Sequence, residues 1–203
     1  MKIAIVSGSH RVQSQSKKVA QFIIKMLKAD FPAVESYYLD LGIHPLPEWD
    51  ESKWENSDDW RTQWSPVSSE LTESSAFIAI SPEWGGMVPS RLKNFFLLCD
   101  QNELAHKPGL IVTVSSGRGG TYPVAELRIS SYKNTRLLWI PEQVIIQNVE
   151  TVLNQPFAAT SDADRLIQDR LLYSLRLLVK YGECLSALRS SGVIDHVRFP
   201  YGI

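Results

Sequence analysis

Three short runs of this chain, residues 3–6, 77–80 and 110–114, are almost continuously apolar. A strand with one face in water alternates apolar and polar residues, whereas a strand that is apolar throughout needs cover on both faces. Each run opens into a loop rich in serine or glycine, and a helical pattern follows. After the first run, for example, Val19, Ile23, Met26 and Leu27 fall on one face. Few folds satisfy this combination: helices must flank a parallel sheet on both sides. The pattern predicts strands over residues 2–6, 34–39, 76–80, 109–115 and 143–147. It predicts helices over 16–29, 57–72, 89–98, 121–131 and 162–188. The last helix has a start signal in Ser161 and Asp164, with Leu171, Leu175, Leu178 and Leu185 following at helical spacing. With 203 residues and neither repeat nor low-complexity linker, one doubly wound α/β domain spanning 1–203 is expected. In such sheets ligands sit beyond the carboxyl ends of the strands, where strand order reverses.

The first post-strand loop, residues 7–16, reads Ser-Gly-Ser-His-Arg-Val-Gln-Ser-Gln-Ser. A strand–loop–helix of this kind aims backbone N–H groups and a helix N-terminus at one small volume, an arrangement that binds phosphate. Ser9, Ser14 and Ser16 can each donate an O–H to phosphate oxygens, and Arg11 supplies a fixed positive charge. Neither GxxxxGK[ST] nor GxGxxG is present, and Gly8 is the loop's only glycine. Abundant hydroxyls with little bare backbone favour a terminal monophosphate over a pyrophosphate bridge. The competing reading is a polar loop whose serines only cap a helix. Lys17 and Lys18 lean against it, because positive charge in a first helical turn is disfavoured unless an anion is bound.

Two further loops follow predicted strands. After the second apolar run comes Ser81-Pro82-Glu83-Trp84-Gly85-Gly86-Met87-Val88-Pro89. Trp84 offers a large flat face, and Gly85 and Gly86 leave backbone N–H groups bare, so a planar ring can lie against the main chain. After the third run come Ser116, Gly117, Arg118, Gly119 and Gly120, which again permit close backbone approach. Each loop alone is equally consistent with an ordinary glycine turn. Together, a monophosphate loop and two loops suited to a flat heterocycle point to FMN.

At these residues the chain resembles the NAD(P)H-dependent FMN reductases of the flavodoxin-like superfamily. A GSxRxxSxS-type loop is matched by residues 8–16. A PEYN-type loop running into a PGxLKN helix start is matched by Pro82-Glu83-Trp84-Gly85 and Pro89-Ser90-Arg91-Leu92-Lys93-Asn94. A glycine-rich loop leading to a leucine–arginine pair is matched by residues 116–120 with Leu127 and Arg128. The resemblance covers the chain to about Gln147. It implies a flavodoxin-like three-layer α/β/α sandwich with a five-stranded parallel sheet in the order 2-1-3-4-5. It also implies FMN phosphate on Ser9, Arg11, Ser14 and Ser16, and the isoalloxazine ring over Pro82, Glu83, Trp84, Gly85 and Gly86. Backbone N–H groups or hydroxyls of Ser116, Gly117, Gly119 and Gly120 are expected as donors to the N1–C2=O edge of the ring. The family uses NADPH or NADH in ping-pong reduction of free flavin, quinone or similar small acceptors, and is usually a homodimer or homotetramer. Hydride passes from the nicotinamide to flavin N5, so no side chain is expected as a catalytic acid or base. Three positions depart from the pattern: Trp84 stands for tyrosine, Gly85 for asparagine and Ser90 for glycine.

Composition removes other classes. A net charge of -1 and the lack of a basic stripe give no footprint for nucleic acid. No apolar run approaches membrane-spanning length, and the first residues lack a signal peptide's apolar core. Cys99 and Cys184 are far apart, so a reduced cytoplasmic protein is expected. His10, His44, His106 and His196 are scattered, which argues against a metal site. The acidic segment 47–64 holds Trp49, Trp54, Trp60 and Trp64, and reads either as a lid or subunit contact or as core indoles. The alternative to an enzyme is a flavodoxin-like electron carrier or redox-responsive binding module without nicotinamide turnover. A domain that has lost FMN and binds only partners is a third reading.

Overall fold

The strands that the apolar runs predict form one five-stranded parallel sheet in the order β2-β1-β3-β4-β5. They are β1 Lys2–Ser7, β2 Glu35–Asp40, β3 Ala76–Pro82, β4 Pro108–Val114 and β5 Leu138–Ile146. The helices are α1 Gln15–Asp30, α2 Asp58–Gln63, α3 Ser65–Glu73, α4 Ser90–Leu98, α5 Thr121–Ile129 and α6 Asp162–Ser190. The structure is a computed structural model that describes residues 1–202 except Asn56 and Gln101; for Asp59 only the backbone is described. Asn56 and the Asp59 side chain, within the tryptophan-rich segment, therefore lie outside the description.

Parity along the strands explains why the runs are apolar throughout. Ile3, Ile5, Ile78, Ile80, Leu110 and Val112 face one layer, against Val19, Ile23 and Leu27 of α1 and Leu171, Leu175 and Leu178 of α6. Their neighbours Ala4, Val6, Phe77, Ala79 and Ile111 face the other, against Leu71, Leu92, Phe95 and Leu127. Both faces are thus sealed, as a parallel sheet requires. The Ser161 hydroxyl accepts the Asp164 N–H at 3.1 Å and starts α6 as the sequence predicts.

Two elements differ from expectation. The helix predicted over 57–72 is two helices meeting at Trp64 and Ser65, because Pro66 has no N–H to donate and its ring crowds the preceding turn. The fifth strand begins at Leu138 instead of residue 143. A register shift between Gly109 and Ile111 absorbs the extra residues, and Pro141 is tolerated because β5 is an edge strand. Strand order reverses at β1, which has β2 on one side and β3 on the other, so the exits of β1 and β3 flank a crevice.

Candidate active site

The site begins where β1 ends. Gly8 N–H donates to the carbonyl of Ile80 at 2.8 Å, tying the first loop to β3. Ser9 is buried, and its hydroxyl oxygen accepts the Arg11 N–H at 3.2 Å. Ser14 is the N-cap of α1, accepting the Lys17 N–H at 3.1 Å. Each of these hydroxyls still has its own hydrogen to donate outward, so capping and anion binding are compatible roles. Ser16 is 1 % exposed, and its Oγ has no hydrogen-bond partner among the described residues. A buried hydroxyl without a partner in the first turn of a helix fits a phosphate seat. Arg11 is exposed on the same loop. These residues fit a phosphate monoester. Lys18 has another role: its Nζ donates to the carbonyls of Val149 and Val152 and to Asn154 Oδ1 at 2.5–2.9 Å, strapping α1 to the chain beyond β5. Burial pulls its ammonium below the ordinary lysine value, with Asp164 and Glu150 opposing.

The second loop is a tight hairpin. Trp84 and Met87 exchange both backbone hydrogen bonds, at 3.1 and 3.2 Å. Gly85 and Gly86 between them have φ of 57° and 75°, the pair of positive values that a type I′ turn demands and that glycine adopts without strain. An asparagine side chain at the first position is not required for this geometry. Among the described residues neither glycine N–H is used in a backbone hydrogen bond, so both remain available beside the half-exposed Trp84 indole.

The third loop is organised by two oxygens. Ser115 Oγ accepts the N–H groups of Gly117 and Gly119, both at 3.2 Å. The Glu83 carboxylate, reaching across from the β3 exit, accepts the Gly120 N–H at 2.5 Å. A Cβ on Gly119 would come within 2.7 Å of that same carboxylate, so glycine there is a requirement of close approach. The N–H groups of these three glycines are therefore already engaged. What this loop offers a ligand is the Ser116 and Arg118 N–H groups, the Ser116 hydroxyl and a glycine surface without side chains. Glu83 acts as a tie between two loops.

Sequence reasoning missed the contacts that join the loops. His10 carries its ring edge-on to Trp84, with centroids 5.1 Å apart, and its Nε2 accepts the Arg91 N–H at 3.0 Å. Asn94 Oδ1 accepts the Trp49 N–H, and its Nδ2 donates to the carbonyl of Pro47. Glu126 accepts the Val88 N–H at 2.7 Å and pairs with Lys93 at 2.5 Å. Of the four tryptophans in segment 47–64, Trp60 and Trp64 are buried in the core, while Trp49 and Trp54 are exposed. The exposed pair borders a groove of about 990 Å³ between α4 and α5, which runs up to Gly86 and Met87. The chain beyond α6 folds back on its own molecule, with His196 stacked on His106 at 5.7 Å and Arg136 donating to the carbonyl of Phe199.

A family model for the NADPH-dependent FMN reductases matches residues 1–151, a stretch containing all three loops and the whole sheet. The chain belongs to that family. Its members' cofactor is FMN and their reductant a reduced nicotinamide, so this FMN reductase is an NAD(P)H-dependent flavin oxidoreductase. Solved structures share its fold. FerB, a flavoenzyme NAD(P)H:(acceptor) oxidoreductase from Paracoccus denitrificans, is 20 % identical with a TM-score of 0.68, covering 90 % of this chain and 97 % of its own. The apo form of the NADH:FMN oxidoreductase EMOB is 15 % identical with a TM-score of 0.66, covering 87 % and 88 %. An NAD(P)H:quinone oxidoreductase from Methanothermobacter marburgensis is 12 % identical with a TM-score of 0.59, covering 88 % and 98 %. Comparison with curated proteins gives no match. No helix among the described residues is long and apolar enough to cross a membrane.

Proposed function

We propose that residues 1–203 act as one FMN-binding unit, with the FMN phosphate on Ser9, Arg11, Ser14 and Ser16 and the ring against Pro82, Trp84, Gly85, Gly86 and Ser116. The single observation carrying this reading is the unpartnered, buried Ser16 hydroxyl at the start of α1. Gly85 and Gly86 N–H groups are the donors toward the ring, while Glu83 holds the hairpin against the glycine loop. Gly117, Gly119 and Gly120 contribute bare backbone surface. Bound FMN supplies hydride uptake from NADPH or NADH and its delivery to a second substrate. The protein's part is to orient the ring and to keep one face open beside the exposed Trp84, and a planar free flavin or quinone fits that requirement.

The assembly is a homodimer or homotetramer. Support comes from the groove beside the hairpin, where Leu97, Tyr122 and Ile129 are 60–80 % exposed. A second copy of the chain would cover these side chains and bring its own atoms close to the ring edge. A cytoplasmic location fits the two cysteines, which are unpaired.

The test is an anaerobic visible spectrum of the purified protein with FMN, before and after NADPH. A protein-bound flavin spectrum that bleaches on NADPH addition supports the reductase reading. Bleaching by dithionite alone would replace it with an electron carrier, and absence of bound FMN would refute the site.

A further inference from the structure

We propose that His10 is a positioning residue that holds the Trp84 hairpin over the flavin site when neutral and releases it when protonated, making FMN affinity pH-dependent. The proposal rests on the FMN site described above. His10 lies between Ser9 and Arg11 of the phosphate loop, yet its ring contacts belong to the hairpin and to α4. Nε2 accepts the Arg91 N–H at 3.0 Å, and Ser90 Oγ lies 3.4 Å from the same nitrogen. The N-cap residue of α4 is Pro89, which provides no side-chain cap, so His10 caps this helix from another loop. The same ring meets Trp84 edge-on, with planes at 65°. One side chain therefore joins the tip of the phosphate loop to both the hairpin and α4.

That arrangement requires a neutral imidazole with its proton on Nδ1. An imidazolium donates from both nitrogens, so protonation sets an N–H against the Arg91 N–H. It also adds positive charge at a helix N-terminus, where charge of that sign is disfavoured. The charged groups acting on the ring are Arg91 from α4 and Glu48 from the segment after β2, and Arg11 follows His10 in the chain. Burial and then Arg91 push His10 below the ordinary histidine value, against a smaller opposing effect of Glu48. The neutral, closed arrangement thus prevails at pH 7. Affinity is full above the His10 pKa and is lost as pH falls through it.

The test is FMN titration by flavin fluorescence for wild type, His10→Gln and His10→Phe, from pH 7 down to one unit below the His10 midpoint that ring-proton NMR of the wild type gives. A glutamine oxygen can accept the Arg91 N–H without titrating. Wild type is expected to lose about tenfold more affinity than His10→Gln over this range. Protonation of the FMN phosphate, which falls in the same range, affects both equally. His10→Phe, with ring but no acceptor, binds weakly at every pH. Equal slopes for wild type and His10→Gln overturn the proposal and leave the FMN site standing. Absence of FMN binding by all three proteins at every pH overturns the site and the proposal together. NMR of the FMN-free protein supplies a second readout, with the indole N–H assigned by Trp84→Phe. The Trp84 resonance must titrate with the His10 ring in wild type and stay still in His10→Gln; a Trp84 signal indifferent to His10 refutes the coupling.

Discussion

The tie between Glu83 and Gly120 is the contact whose removal most directly tests how the site is held together. Glu83→Ala removes the acceptor of a buried backbone N–H, and Gly120 has no other partner for it among the described hydrogen bonds. A hydrogen bond to a charged group contributes about 1.5–3 kcal/mol, and an abandoned buried donor costs a similar amount. Because Glu83 itself is only half-buried, water weakens its side of the contact, and about 2 kcal/mol is the reasoned loss. In a chain of this size that corresponds to a fall of roughly 4–8 °C in Tm. The freed hairpin is expected to raise the FMN Kd about tenfold, equivalent to about 1.4 kcal/mol. Glu83→Gln keeps an acceptor oxygen and is expected within about 1 kcal/mol of wild type. Gly119→Ala attacks the same contact from the other side, since its new Cβ lies 2.7 Å from the carboxylate. Its cost is therefore expected to shrink in a Glu83→Ala background, a coupling that a double-mutant cycle in urea measures. The reasoning is refuted if Glu83→Ala unfolds within about 0.5 kcal/mol of wild type and binds FMN unchanged.

Arg11→Ala and Ser16→Ala are each expected to weaken FMN binding by at least tenfold, while riboflavin, which lacks the phosphate, binds both variants as it does wild type; calorimetric titration distinguishes the two ligands. Lys107, buried at the far end of the sheet, donates to the carbonyls of Leu71, Thr72 and Glu103 at 2.7–2.8 Å, so Lys107→Met is expected to cost about 3 kcal/mol in urea unfolding at pH 7 without changing the FMN Kd. Burial lowers that lysine to about 8, so between pH 8 and 10.5 the unfolded chain holds a proton that the folded one has released. Wild type is therefore expected to gain stability relative to Lys107→Met as pH rises through that window, by chemical denaturation at several pH values. Ile129→Asp, placing a charge on the exposed groove, is expected to give a monomer by light scattering, with the fold retained by circular dichroism.

Sheet and layers were legible because burial on both faces leaves a plain trace in sequence: runs such as Ile3–Ala4–Ile5–Val6 have no polar break to mark a solvent side. The edges were less legible, for physical reasons. β5 is covered less completely, so it tolerates Pro141, Glu142 and Gln143, and these three residues split its apolar signal in two, cutting residues 138–140 off from 144–146. The helix break at Trp64 and Ser65 was signalled by Pro66, but Trp60, Trp64, Val67 and Leu71 at helical spacing carry one apolar face across it. Trp49 and Trp54 have no such spacing and are the two left outside the core.

The site divides along the same line. Residues that act within their own loop were readable, since Ser14 caps the helix directly behind it and Gly85 and Gly86 make the turn their dipeptide requires. Glu83 to Gly120, His10 to Arg91 and Asn94 to Trp49 are contacts between segments 37, 81 and 45 residues apart. No local pattern encodes them; they follow from the strand order that sets the exits of β1, β3 and β4 side by side. This also bears on the positions that depart from the family pattern. Trp84 has lost a phenol but gained an edge contact with His10, and Gly85 has lost an amide while supplying a turn conformation that glycine adopts freely. Both replacements are compatible with the hairpin geometry, and His10 and Glu83 join that hairpin to its neighbours through contacts that neither replacement removes.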